Sequence, residues 1–138
     1  MCLIEKIKKR LKDFPQLKYE ETSDKIHVYP ENENGFEVGL FDEGEDGYYV
    51  YYGGWHEDFT KDDTDNAIGC FLWGLTDKIR LKVKSRNGFQ YHWTVQRFEK
   101  GIWVSYNYVG LFWFPFWRKR VVKYFQNHLI ELPDVEKQ

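Results

Sequence analysis

The chain has 138 residues, a formal net charge of −2 and 20% aromatic residues. That length suits one domain able to bury its own core, and the ring content predicts a core built from Phe, Tyr and Trp rather than from Leu and Ile. Two cysteines without a CxxC spacing, and no secretory-type leader, argue against a disulfide-framed secreted scaffold and for a reducing cytoplasm.

The near-neutral total hides a strong asymmetry. Residues 1–18 carry a net +4, residues 19–66 a net −13 and residues 67–138 a net +7. Such a layout suits either acidic and basic strands that neutralise one another or a dipolar surface for charged partners.

In chain order, Leu3, Ile4, Ile7, Leu11 and Phe14 recur at helical spacing, and Pro15 ends this first helix. Three strands are expected next. They are Ile26 to Tyr29, the alternating Phe36, Val38 and Leu40, and Tyr48 to Tyr52, with turns at Asn32–Gly35 and Asp42–Gly47. Thr60 to Asp65 supplies oxygen side chains and acids for a helix start, and Ile68, Phe71, Leu72 and Leu75 form its buried stripe. A second meander follows over Lys78–Arg86, Phe89–Phe98 and Ile102–Trp113. Pro115 suits the first turn of a last helix that turns Trp117, Val121, Tyr124, Phe125 and Leu129 inward. The expected fold is a single α+β domain over residues 1–132, with a frayed tail over 133–138. Its order is α-βββ-α-βββ-α, with an antiparallel sheet of about six strands and helices mainly on one face.

The run from Lys78 to Arg86 alternates base and apolar residue up to Lys84, which sends Ile79, Leu81 and Val83 to one face and the cations to the other. Asn87-Gly88 invites a two-residue hairpin turn, but that register would place cations and rings on one face. A three-residue loop, Arg86-Asn87-Gly88, instead pairs Lys82 with His92 and Lys84 with Gln90 and keeps the apolar set together. The expected binding residues are therefore Lys78, Arg80, Lys82, Lys84 and His92, on a face completed by Gln90, Thr94 and Gln96. Such a face meets phosphate or guards an edge strand. The overall negative charge weighs against nucleic acid.

The remaining chemistry is sparse. Gly53-Gly54-Trp55-His56-Glu57-Asp58 places a histidine beside two acids, so His56, Glu57 and Asp58 are candidate catalytic residues. Neighbours on an extended segment point apart, however, and the segment reads first as a strand-to-helix loop with Trp55 plugging the core and the acids favouring the helix dipole. There is no HExxH, HxH or CxxC spacing, no GxSxG elbow and no glycine-rich phosphate loop, so no metal and no cofactor are expected. Cys70 falls in a buried helix and reads as an inert thiol. The aromatic run Tyr108–Trp117, followed by Arg118-Lys119-Arg120, is ten residues and too short to span a membrane. Rings next to cations also suit a lipid interface, but the alternation through Val104, Tyr106 and Tyr108 and the helical spacing after Pro115 assign the run to the core between sheet and last helix.

The leading expectation is a cytoplasmic binding or protein-interaction domain that is not an enzyme, with a protein partner or a second copy as its ligand. The alternatives are a small hydrolytic or metal-dependent enzyme centred on the Trp55–Asp58 segment, and nucleic-acid binding through strand 78–86.

Overall fold

The computed structural model describes residues 3–131. Helix α1 (Leu3–Leu11) buries Leu3, Ile4, Ile7 and Leu11 on one face. Five strands then pair in chain order as an antiparallel meander: β1 (Tyr19–Glu21), β2 (Lys25–Val28), β3 (Val38–Asp42), β4 (Tyr48–Tyr52) and β5 (Trp55–Phe59). Helix α2 (Thr64–Trp73) leads to a second antiparallel sheet of β6 (Ile79–Arg86), β7 (Phe89–Glu99), β8 (Ile102–Gly110) and β9 (Arg120–Gln126). The spatial order here is β8-β7-β6-β9, so the chain crosses the end of the sheet after Gly110 to pair β9 with the free side of β6.

One hydrophobic cluster joins all of these layers. Alternation along β2, β3 and β4 turns Ile26, Val28, Val38, Leu40, Val50 and Tyr52 inward, where α2 covers β3–β5 and α1 packs beside α2. Ile79, Leu81, Val83 and Val95 bring the second sheet to the same core. The Gly53-Gly54 turn between β4 and β5 packs directly on it, since a Cβ at Gly54 would collide with the Trp93 ring. The core is aliphatic rather than ring-built as expected: Tyr52 stacks on Trp55 at 4.7 Å, but Leu, Ile and Val outnumber the buried rings because many Phe, Tyr and Trp stay on the surface.

The expected α-βββ-α-βββ-α order is overturned. The described residues form nine strands in two sheets with two α-helices, so the chain is mostly β rather than an α+β domain with one sheet of about six strands. Three segments account for the difference. The last helix is strand β9, where Val121 and Val122 suit the pleat and the unpaired edge of β6 supplies backbone partners. Trp117, Val121 and Tyr124, expected inside, are 61%, 41% and 49% exposed. The segment expected as a strand-to-helix loop at Trp55 is strand β5, closed onto β4 by a two-residue Gly-Gly turn that pairs Tyr52 with Trp55. Short, polar β1 adds the fifth strand of the first sheet by pairing with β2. Residue 132, the expected tail 133–138 and Cys2 lie outside the described residues. Among the described residues, no helix is long and apolar enough to cross a membrane.

The β6–β7 hairpin resolves its register in a third way. Arg86 pairs with Phe89 across a two-residue turn in which Asn87 (φ 52°) and Gly88 (φ 79°) are both left-handed. Tyr91 then bulges out of β7, and from there Lys84 pairs with His92 and Lys82 with Thr94. The extra residue restores the face assignment that a plain two-residue hairpin would have reversed. Cations lie opposite polar residues, as the three-residue loop required, though each partner is displaced by two positions.

Asn127, just past β9, is 2% exposed. Its Nδ2 donates to the Phe36 and Gly74 carbonyl oxygens at 2.9 Å, and its Oδ1 accepts from the Phe36 N–H at 3.0 Å. Asn127→Ala strands these buried backbone groups and is expected to cost about 3 kcal/mol in urea unfolding, with the slope against denaturant unchanged.

Candidate functional site

The outer face of the second sheet is built by strand alternation. Because Ile79, Leu81 and Val83 are buried, Arg80, Lys82 and Lys84 stand in a row on the opposite face. β7 contributes His92, Thr94 and Gln96 beside them, in register. The flanking strands supply rings. Tyr124 of β9 lies opposite Lys82, and Tyr108 of β8 lies opposite Thr94.

Two of the basic groups are held by stacking. The Arg80 guanidinium lies 4.5 Å from the Trp103 ring centroid and 4.2 Å from that of Tyr124. Its Nε donates to Gln96 Oε1 at 2.6 Å, and Gln96 Nε2 donates to Ser105 Oγ at 3.0 Å. Arg80 is thereby held on the outer face by residues of β7, β8 and β9. His92 stacks on Tyr108, with centroids 4.9 Å apart and planes 15° from parallel. Burial lowers the His92 pKa, and the charges of Lys84 and Lys82 lower it further, which favours the neutral ring. Lys78, just before β6, sits over the Phe98 ring at 6.0 Å.

Among the described residues, none of Lys78, Arg80, Lys82 and Lys84 has a carboxylate within 4 Å. Residues 78–126 contain eleven Lys and Arg but one acid, Glu99. That acid accepts a hydrogen bond from Tyr106 and lies 3.8 Å from Arg97. The sequence-derived set Lys78, Arg80, Lys82, Lys84 and His92 is thus brought together. Sequence reasoning missed the rings Trp103, Tyr108 and Tyr124 beside it. Strict alternation along β8 would put Trp103 and Tyr108 on opposite faces, and the extra residue at Tyr106 brings them to one face; the place of Tyr124 depended on recognising β9 as a strand.

The Trp55–Asp58 segment is divided between two faces. Trp55 is 2% exposed in the core. His56 and Asp58 are exposed, and His56 stacks on Tyr49 at 5.1 Å. Among the described residues, no acid or second histidine lies within hydrogen-bond reach of His56. Glu57 turns the other way, into a cleft of about 570 Å³ between β5, α2 and the β7–β8 hairpin, lined also by Asp63, Cys70 and Arg97. Burial raises the Glu57 pKa, a hydrogen bond with Asn107 opposes the rise, and Asp63 and Asp58 add to it. Burial pushes the Cys70 thiol up to about 12, so it is a poor nucleophile at neutral pH. No cluster of three or more metal-ligating side chains occurs among the described residues.

The outer face of the first sheet carries another network. His27 hydrogen-bonds Tyr51 through Nδ1, and its Nε2 lies 3.5 Å from Glu37. Burial pushes Tyr51 up to about 12, so its phenol stays protonated. Set against known protein families, curated proteins and solved structures, the chain matches none.

Because folded Glu57 holds its proton more tightly than the unfolded chain does, its ionisation opposes folding. That penalty is absent below the ordinary glutamate value of 4.5 and complete above the raised folded value. Glu57→Gln is therefore expected to unfold at higher urea than the native chain at pH 7. The difference should vanish as the pH falls below 4.5.

Proposed function

We propose that the chain is a non-enzymatic binding module whose second sheet takes single-stranded nucleic acid on its outer face. The observation that carries this reading is the row Arg80, Lys82 and Lys84, flanked on both sides by rings and free of acids. Cations neutralise phosphates along a strand, and exposed rings offer stacking surfaces to unpaired bases. Tyr108 and Tyr124 are 64% and 49% exposed, so each leaves ring surface to stack against. An open sheet face suits a single strand with splayed bases better than a duplex, whose bases are already stacked.

The overall charge of −2 does not oppose this role, because the acids are concentrated in residues 19–66, which build the first sheet and its loops. A reducing cytoplasm suits a chain whose described cysteine, Cys70, is a free thiol. The hydrolytic alternative lacks support from geometry, since His56 and Glu57 face opposite sides of β5.

Fluorescence anisotropy with a labelled oligothymidylate tests the reading. Affinity should fall with salt, and Lys82→Ala with Lys84→Ala should reduce the slope of log K against log salt by about 1.4. Tyr108→Ala should cost about 1–3 kcal/mol of binding. Binding that ignores salt, or that survives all three substitutions, would remove this face from consideration.

The lowered His92 pKa gives a second check. A phosphate beside His92 offsets the repulsion from Lys82 and Lys84, so binding should raise this pKa and strengthen as the pH falls through the histidine range. Imidazole proton shifts recorded with and without oligonucleotide read this directly.

A further inference from the structure

The crossing between β8 and β9 carries the run Leu111-Phe-Trp-Phe-Pro-Phe-Trp117, followed by Arg118-Lys119-Arg120. It was expected to fill the core, and one part of it does turn inward. Phe114 stacks on Tyr91 at 4.1 Å, and Pro115 is buried. The Leu111 N–H donates to the Tyr91 carbonyl oxygen at 2.8 Å. Arg86 Nη1 donates to the carbonyl oxygens of Phe116 and Arg118 at 3.2 and 2.6 Å. The loop is therefore anchored at its middle and at both ends.

What the anchors leave outside is unusual for a water-facing surface. Phe112 is fully exposed, and Leu111, Trp113, Phe116 and Trp117 are 44–68% exposed. Their ring contacts are with one another and with Phe89, itself 40% exposed. Contiguous apolar surface of this kind marks a place of contact. Its charge surroundings select the occupant. Residues 100–130 contain five Lys and Arg and no acid. Rings at a loop tip with cations directly behind them match the layering of an anionic bilayer, where rings favour the boundary below the headgroups and cations meet the phosphates. A fluid lipid surface also takes protruding rings without a preformed pocket, which a folded protein partner would have to supply.

We infer that the 111–117 loop seats in the interface of an anionic lipid bilayer, with Arg118, Lys119 and Arg120 on the headgroups. This goes beyond nucleic-acid binding and uses different residues, so either can fail alone.

Co-sedimentation of the full chain with vesicles tests it, using phosphatidylcholine alone and phosphatidylcholine mixed with phosphatidylserine. Partitioning should be stronger on the mixed vesicles by about a hundredfold. The double variant Phe112→Ser with Trp117→Ser should weaken it about tenfold or more. Both positions are exposed, so the variant should keep the native circular dichroism spectrum and its affinity for oligothymidylate. Absence of binding to either vesicle would overturn the inference. So would binding that the double variant retains, because charge alone would then explain it. A concentration-dependent dimer abolished by the same variant, with no vesicle binding, would assign the loop to a second copy of the chain instead.

Discussion

The buried amide of Asn127 is the interaction on which the placement of the second sheet depends. It satisfies both backbone groups of Phe36, which leads into β3, and the Gly74 carbonyl at the end of α2. Three segments far apart in sequence are thereby held at one point. Backbone groups buried at such a junction have no water to turn to, so a side chain with both a donor and an acceptor is required there. With β9 held at its end, β6 becomes an inner strand of its sheet, paired on both sides.

That pairing gives the outer face its character. On an edge strand, alternating cations would be explained sufficiently as protection against pairing with other chains. β6 is not an edge, so its row of cations needs no such protection. Flanking strands place Tyr108, Trp103 and Tyr124 around the row, and stacking immobilises Arg80 before any ligand arrives. Fixing a guanidinium in advance reduces the ordering cost of binding. The acids that balance these charges belong to the first sheet and its loops, so acidic and basic strands do not lie side by side in one sheet.

Legibility of this architecture in the sequence followed the strength of local alternation. β6 was legible because its apolar residues and cations alternate from Ile79 to Lys84, which puts Arg80, Lys82 and Lys84 on one face. Its hairpin was half legible. Asn87-Gly88 announced the turn, but the bulge at Tyr91 that corrects the facing is a tertiary solution, with Tyr91 packed between Arg86 and Phe114. β9 was misread because Val121, Tyr124 and Phe125 also fit a helical stripe, and only the free side of β6 decides between the two periods. β5 was masked by its His-Glu-Asp centre, although the preceding Gly-Gly between Tyr52 and Trp55 is a hairpin signal. The rings of the 111–117 loop read as core because alternation before them and helical spacing after Pro115 imply a strand running into a packed helix; with β9 a strand, no helix covers them and Phe112, Trp113, Phe116 and Trp117 stay exposed.

An amide chemical-shift map of the nitrogen-15-labelled chain titrated with oligothymidylate reads out directly whether the outer face of the second sheet takes single-stranded nucleic acid. Shifts should concentrate at Arg80, Lys82, Lys84, His92, Tyr108 and Tyr124, with β2–β5 unmoved. Shifts confined to the first sheet or the Glu57 cleft, or no shifts at saturating oligonucleotide, would contradict this role.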